Sequence, residues 1–342
     1  MADVSLIVPV YQAAAFLRAA VDSMRAQTHA DIEILLVDDG STDGSGALCD
    51  AMALEDARVR VIHQRNAGSG AARNAGMDAA QGEYILFCDA DDRLSPRLVE
   101  DCLALARLYG ADIVEFGYES VRADATGSLL GKPVCELPRL CGVYDREAFW
   151  NHFREEHTFM CSLWTRMFRR AFLCRNGLRF GCLSTGQDAV FLFDVYAAPF
   201  QRIVCVRQAY YTYIRRAGSA TGAYNPARMD NEMAVARRFE ALIASCPQAR
   251  GRYEDLVARQ FFLAANRAVK SCLKYERGGV LRRVEKARRF LEREELARAF
   301  VHADLTGWPA GPGRLALAML RHGMYRLFVW AVLARMAAGG AR

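Results

Sequence analysis

Asp89, Asp91 and Asp92 place three carboxylates within four positions, in the segment CDADD that closes the strand-like run GEYILF. Charges so close repel one another unless a cation sits among them. A hard divalent ion held by one or two carboxylates together with phosphate oxygens is the arrangement that suits a diphosphate-bearing substrate. The plain alternative is a turn in which Asp92 or Ser95 caps a helix opened by Pro96. A second acidic doublet, Asp38 and Asp39 in VDDGSTDGS, also follows an apolar run, and its continuation forms a tight turn with hydroxyls free to hydrogen-bond. A carboxylate there can accept the imide proton of a uracil ring or bind a ribose; a simple Asx-turn has the same sequence signature. Tyr11, following the Pro9 turn, offers a ring for stacking on a base. The Gly-rich helix entry NAGSGAARNAG, Asn66 to Gly76, suits close backbone approach to a phosphate or sugar, and its Arg73 supplies a fixed cation for a nucleotide or for the carboxylates.

These groups share one rim only if the right elements carry them. The runs SLIVPVY, IEILLVDDG, RVRVIHQ and YILFCD alternate with helical patterns over Ala13 to Gln27, Ser45 to Leu54 and Ala71 to Gln81. Strand runs that are apolar almost throughout belong to parallel strands covered on both faces, so the pattern predicts an α/β, doubly wound, mostly parallel sheet. In such a sheet the polar segments that follow the strands line up along the carboxyl edge. Beyond Leu103 the pattern predicts a strand at Asp112 to Tyr118, helical runs around Ala148 to Phe172, and strand character in IVCV and YYTYIRR. Arg-rich helical periodicity then runs from Pro226 to about Phe300, a breaker-rich stretch follows at Trp308 to Gly313, and one final helix is expected over Arg314 to Ala338.

Composition bounds the rest. With 342 residues, 52% hydrophobic and 25% charged, the chain supports a large core with an appended piece and excludes long disorder. The net charge of +6 is uneven: residues 1–224 carry 23 basic against 28 acidic side chains, and residues 225–342 carry 22 against 11. A basic surplus can face phosphate, nucleic acid or an anionic membrane. The eleven cysteines contain no C-x-x-C pair and several lie in apolar runs, so they read as buried thiols of a reducing compartment. The opening residues lack a basic flank, and no signal peptide is expected. The longest uninterrupted apolar stretch of the final helix, LFVWAVLA, is far short of the roughly 20 residues of a span, although a basic amphipathic helix can lie in a membrane interface.

In order and spacing, PVY, VDDGSTDGS, NAGSGAARNAG, GEYILFCDADD and GQDAVF resemble the family 2 glycosyltransferases with the GT-A fold, over residues 4–220. The resemblance implies a catalytic domain over residues 1–222 and a basic helical region over 223–342. It implies Asp91 on Mn²⁺ or Mg²⁺, Asp89 toward the ribose, Asp38 or Asp39 on the nucleoside with Tyr11 and Pro9 beside it, and Asn66 and Arg73 near the donor. Asp188, in the segment where the family carries G-E-D-x-x-F, takes the place of the base, while Gln187 replaces the family's Glu. An ordinary aspartate is already ionised at neutral pH, so no unusual tuning of Asp188 is required. WTRMFRR, from Trp164, is similar to the family's W-N-K-L-Y-R-R, with Trp164 either walling the acceptor site or filling the core. Arg215, Arg216 and Ser219 sit where related enzymes often carry a diphosphate-facing basic loop, which implies one of the two arginines, assigned as Arg215, at the donor. One base and one metal imply inverting transfer of a single sugar from a nucleotide-sugar donor, UDP-linked, to a glycan or lipid-linked glycan acceptor, without nucleic acid. The expected location is the cytoplasm or the inner face of the plasma membrane. A non-catalytic sugar-nucleotide or glycan binder is the alternative. A nucleotide-dependent oxidoreductase is disfavoured because Arg73 stands at the third glycine position of the dinucleotide fingerprint and the first strand leads into PVYQAAAF without glycine.

Overall fold

The computed structural model describes residues 2–124, 129–156, 162–216, 225–301 and 311–339. Ser219 and residues 308–310 of the breaker-rich stretch lie outside them. Two compact units divide the chain, Met1–Ala220 and Thr221–Arg342.

In the first unit β1 (Val4–Val10), α1 (Ala14–Arg25), β2 (Ile32–Asp38), α2 (Ser45–Glu55), β3 (Val59–His63), α3 (Ser69–Ala79) and β4 (Tyr84–Phe87) alternate without interruption. β1 pairs in parallel with β2 and β4, and β2 pairs in parallel with β3. Nearly every residue of β1, β2 and β4 is buried, because helices cover both faces and leave no side of the pleat for polar residues. The register sets Val10 opposite Asp38 and Asp38 opposite His63, which brings the strand ends to one level.

The rest of this unit adds β5 (Arg93–Leu94), α4 (Leu98–Tyr109), β6 (Ile113–Ala123), β7 (Leu129–Glu136), β8 (Gly142–Asp145), α5 (Arg146–Glu156), β9 (Arg166–Arg169), α6 (Arg170–Arg175), α7 (Gln187–Ala197) and β10 (Arg202–Arg215). The sheet order is β3-β2-β1-β4-β9-β6-β10-β5, with β7 on β6 and β8 on β10. The helical expectation over Ala148 to Phe172 therefore needs correction. α5 accounts for its first part, but Arg166–Arg169 is a strand antiparallel to both β4 and β6. Tertiary pairing overrides local preference here: Arg166 is fully buried, ion-paired with Glu115 of β6, and donates from Nε to Tyr196 Oη at 2.7 Å. Among the described cysteines none is paired. Cys49, Cys88, Cys102, Cys205, Cys246 and Cys272 are buried as expected, whereas Cys135, Cys141, Cys174 and Cys182 are exposed.

The second unit is helical: α8 (Arg228–Ser245), α9 (Glu254–Tyr275), α10 (Val280–Leu291), α11 (Glu294–Val301), α12 (Pro312–Arg321) and α13 (Tyr325–Gly339). α9 is its axis and packs against α8, α10, α11 and α13. The expected single final helix is two helices. Gly323 takes a left-handed φ of 68°, and Met324 donates its N–H to the Met319 carbonyl at 2.8 Å, a glycine-terminated helix end. Arg314 and Arg321 thus lie on α12 and Arg335 on α13, so they do not share one helical face.

Candidate functional site

The carboxyl rim is built from four loops that hold one another. Asp39, almost fully buried, accepts from Gln64 Nε2 at 2.7 Å and from the Ala67 and Gly68 backbone N–H groups at 2.8 Å each. It therefore ties the loop after β2 to the loop that opens α3. Asp38 accepts the Ser41 N–H at 3.1 Å, and its other oxygen lies 3.1 Å from His63 Nδ1. Burial pushes the Asp38 carboxyl up, but Ser41 and His63 outweigh it and hold the group below its ordinary value. The His63 imidazole is raised by its hydrogen bonds to Asp50 and then to Asp38.

The rest of VDDGSTDGS is spent on the start of α1, where no local side chain caps the helix. Ser41 Oγ accepts the Gln12 N–H at 3.2 Å, Ser45 Oγ the Ala13 N–H at 2.9 Å and Asp43 Oδ2 the Ala14 N–H at 3.0 Å. These hydroxyls and this carboxylate are consequently not the free groups the sequence suggested. Gln12, which pattern reading passed over, adopts a left-handed φ of 51° that is uncommon outside glycine, and its carboxamide pairs with Thr42. That turn leaves Tyr11 53% exposed at the rim, just beyond Pro9 of β1. Asn66 is exposed on the loop tied down by Asp39.

On the other side of β1, the acidic cluster is divided three ways. Asp92 is buried and pinned to β10: it accepts the Ile214 N–H at 2.8 Å and the Tyr211 hydroxyl at 2.9 Å. Tyr211 Oη also accepts the Asp89 N–H at 3.1 Å. Asp91 forms an ion pair with Arg216, whose guanidinium lies over the Phe16 ring and whose other terminal nitrogen is buried without a partner among the described residues. Burial and then Asp89 push the Asp91 carboxyl up; Arg216 opposes them. Arg215, expected at the donor, donates instead to Ser120 Oγ, and of the two arginines it is Arg216 that reaches the acidic cluster. Successive side chains of a strand face opposite ways, and one residue of register decides which arginine arrives.

Asp89 and Asp188 are joined by Arg73. Its Nη2 donates to Asp89 Oδ1 at 3.0 Å and its Nη1 to Asp188 Oδ1 at 2.6 Å, with the guanidinium 5.5 Å from the Phe180 ring centre. Asp188 stands in the first turn of α7, behind Gly186 at a left-handed φ of 82°, where the helix end favours an anion. Burial nonetheless raises its carboxyl above the ordinary value; Arg73 lowers it and Asp89 raises it again.

α3 does more than the sequence disclosed. Asn74 exchanges two hydrogen bonds of 3.0 Å with the Phe180 backbone, and Ser69 Oγ accepts from Gln187 Nε2 at 2.6 Å. A Cβ on Gly70 would stand 3.0 Å from the Gly181 carbonyl oxygen, so glycine permits the close approach. One face of NAGSGAARNAG is therefore the dock for the segment that carries Asp188, and Gln187 serves that dock. The signal lay in the polar residues spaced along one helical face. Trp164 is half-buried, stacked on Tyr211 at 4.5 Å and Tyr213 at 5.5 Å, with Tyr118 edge-on at 4.7 Å.

Among the described residues, the one group of three side chains with ligand atoms close together is Asp3, His29 and Asp31, which precede β1 and β2 at the opposite rim. Asp3 there already faces Arg107 and His29. At the carboxyl rim Asp91 offers a hard-oxygen ligand whose charge is opposed by burial and offset by one guanidinium. Such a donor set fits a divalent ion whose remaining positions are filled by substrate phosphate and water.

The architecture is that of the GT-A fold. The structure superposes on S. aureus TarS 1-349 in complex with UDP-GlcNAc with a TM-score of 0.69 at 20% identity, covering 99% of this chain and 92% of that 1-349 chain. The sequence pattern of glycosyl transferase family 2 matches residues 5–175. The chain belongs to that family. It is 33% identical over 243 residues to the uncharacterized glycosyltransferase EpsJ of Bacillus subtilis, spanning 70% of this chain and 69% of EpsJ. It is 32% identical over 246 residues to the succinoglycan biosynthesis protein ExoO of Rhizobium meliloti, spanning 69% and 68%.

Proposed function

We propose that the protein is an inverting, metal-dependent glycosyltransferase that moves one sugar from a UDP-linked donor to a hydroxyl of a surface-glycan precursor. The carrying observation is Arg73, which holds Asp89 at the end of β4 and Asp188 at the start of α7 in one site. Asp188 takes the acceptor hydroxyl's proton as that oxygen attacks C1 of the sugar, and the bond from C1 to the diphosphate breaks on the opposite face. Asp91 would hold a divalent ion, Mn²⁺ or Mg²⁺, which when bound would neutralise charge on the departing diphosphate. Asp89 faces the ribose, and Tyr11 stacks on the base above the turn from Pro9. Asp38 and Asp39, with Asn66, shape the nucleoside pocket. The donor of TarS and the polysaccharide named for ExoO support the UDP-linked sugar and the glycan acceptor.

Residues 1–222 carry this chemistry, and residues 223–342 rest on an anionic membrane surface at the cytoplasmic side, bringing the enzyme to a lipid-linked acceptor. α12 and α13 contain Arg314, Arg321, Arg326 and Arg335 but no carboxylate, and they expose Leu315, Leu327 and Trp330. Exposed apolar side chains beside cations suit an interfacial position. No helix among the described residues is long and apolar enough to cross a membrane.

UDP release across a panel of UDP-sugars, with Mn²⁺ and with a chelator, tests the reading. Turnover of one donor, abolished by the chelator and lowered roughly 10²- to 10⁴-fold in Asp188→Asn, is expected. An active Asp188→Asn enzyme, or no donor turned over, overturns it.

A further inference from the structure

The second unit contains a cavity of about 170 Å³ where α9, α12 and α13 meet. Phe262, Ala316, Met319, Phe328 and Val332 make its walls largely apolar, while Asn266 and Arg335 bring the polar atoms. Its origin is legible in the side chains. Gly313, Ala316 and Ala331 stand where the helices cross, and these small residues leave room that a leucine would fill. Protein interiors seldom keep voids larger than a water molecule. An apolar cavity of about 150 Å³ stays dry yet accepts benzene, so this one takes an alkyl segment of about six carbons.

Its polar end has one sign. Arg335 is exposed and, among the described residues, donates one long hydrogen bond, from Nη2 to the Pro312 carbonyl at 3.3 Å. Asn266 has no hydrogen-bond partner among the described residues. Neither α12 nor α13 contains a carboxylate to neutralise Arg335. An apolar socket with a cation beside it matches an alkyl chain that ends in an anionic head.

We propose that this cavity is a binding site for a single anionic amphiphile, with its chain between α9, α12 and α13 and its phosphate or carboxylate head on Arg335 and Asn266. The site rests on the membrane reading only for its source of ligand: in a bilayer the occupant is a lipid, and in solution it is a free alkyl phosphate or fatty acid. Occupancy would bind a chain inside the unit rather than merely lay its surface on headgroups.

Calorimetric titration of the full chain with n-octyl phosphate below its micelle concentration tests this, with inorganic phosphate and n-octyl glucoside as head-only and neutral-head probes. Saturable one-to-one binding of octyl phosphate is expected. It should weaken at least tenfold in Ala316→Leu and in Ala331→Leu, which fill the cavity from different helices, and about threefold or more in Arg335→Gln. Inorganic phosphate should give no measurable heat. Binding that survives both cavity-filling variants, with their helix content intact by circular dichroism, or equal binding of inorganic phosphate, overturns the site. Cosedimentation with phosphatidylglycerol vesicles is read separately. Vesicle binding without octyl phosphate binding refutes the pocket and spares the membrane reading, and the converse refutes the membrane reading alone.

Discussion

The doublet Asp38 and Asp39 and the pair Asp89 and Asp91 flank β1 at the same rim, yet they are neutralised by different means. Asp39 is held by two backbone N–H groups and a carboxamide, and Asp38 by a backbone N–H and a histidine. Asp89 and Asp91 face guanidinium groups of Arg73 and Arg216. A backbone donor cannot leave without unfolding its loop, whereas a side-chain cation can swing aside when a ligand brings its own charge. The first pair ties loops of the rim together; the second is held by cations on side chains. An acidic motif at a strand end thus takes its meaning from what opposes it.

The sharpest break of this comparison sets Asp91→Asn against Asp39→Ala. Asp91→Asn should lower kcat by roughly a hundredfold or more while leaving resistance to urea nearly unchanged. Asp39→Ala strands three donors at the rim and should cost about 3 kcal/mol in urea denaturation. Equal stability losses in the two variants would erase the distinction. Next in size, Arg216→Gln removes the cation that competes for Asp91. Mn²⁺ binding without donor, followed by electron paramagnetic resonance, should tighten about fivefold even as turnover falls. Weaker Mn²⁺ binding would show that Arg216 supports the ion rather than standing in for it.

The finest test is the pH profile. Asp188 acts as a base only when ionised, and burial places its folded value above 3.8. Activity should therefore rise with pH along an acid limb lying above that point. Arg73 lowers the Asp188 value, so Arg73→Lys, which cannot reach both carboxylates with one fork, should displace the limb to higher pH. An unmoved limb would detach Arg73 from the base.

The alternation of apolar runs and helices made β1 to β4 legible, since each strand is buried on both faces and carries its signal in its own residues. Their polar ends mark Asp38, Asp39, Asp89 and Asp91 as rim residues from sequence, and the glycine-rich entry to α3 offers Arg73 as a cation for the carboxylates. β9 was not legible, because RMFR is short and its Arg166 is buried only by virtue of Glu115 from a distant strand. Which of Arg215 and Arg216 meets the acidic cluster turns on strand parity, and the docking roles of Ser69 and Asn74 on a partner segment far along the chain. Local pattern locates a charge; only the packed neighbour says what it does.

The place of β9 also bears on how the molecule is made. Translation delivers Tyr84–Phe87 long before Arg166–Arg169, the strand that closes its outer edge. Until then a nascent chain presents an apolar ladder with one side open, the kind of edge that recruits other chains. Ribosome-bound or truncated products ending ahead of Arg166 should consequently depend on chaperones, and the half of the sheet that bears Asp89 is not a fragment that can be cut free.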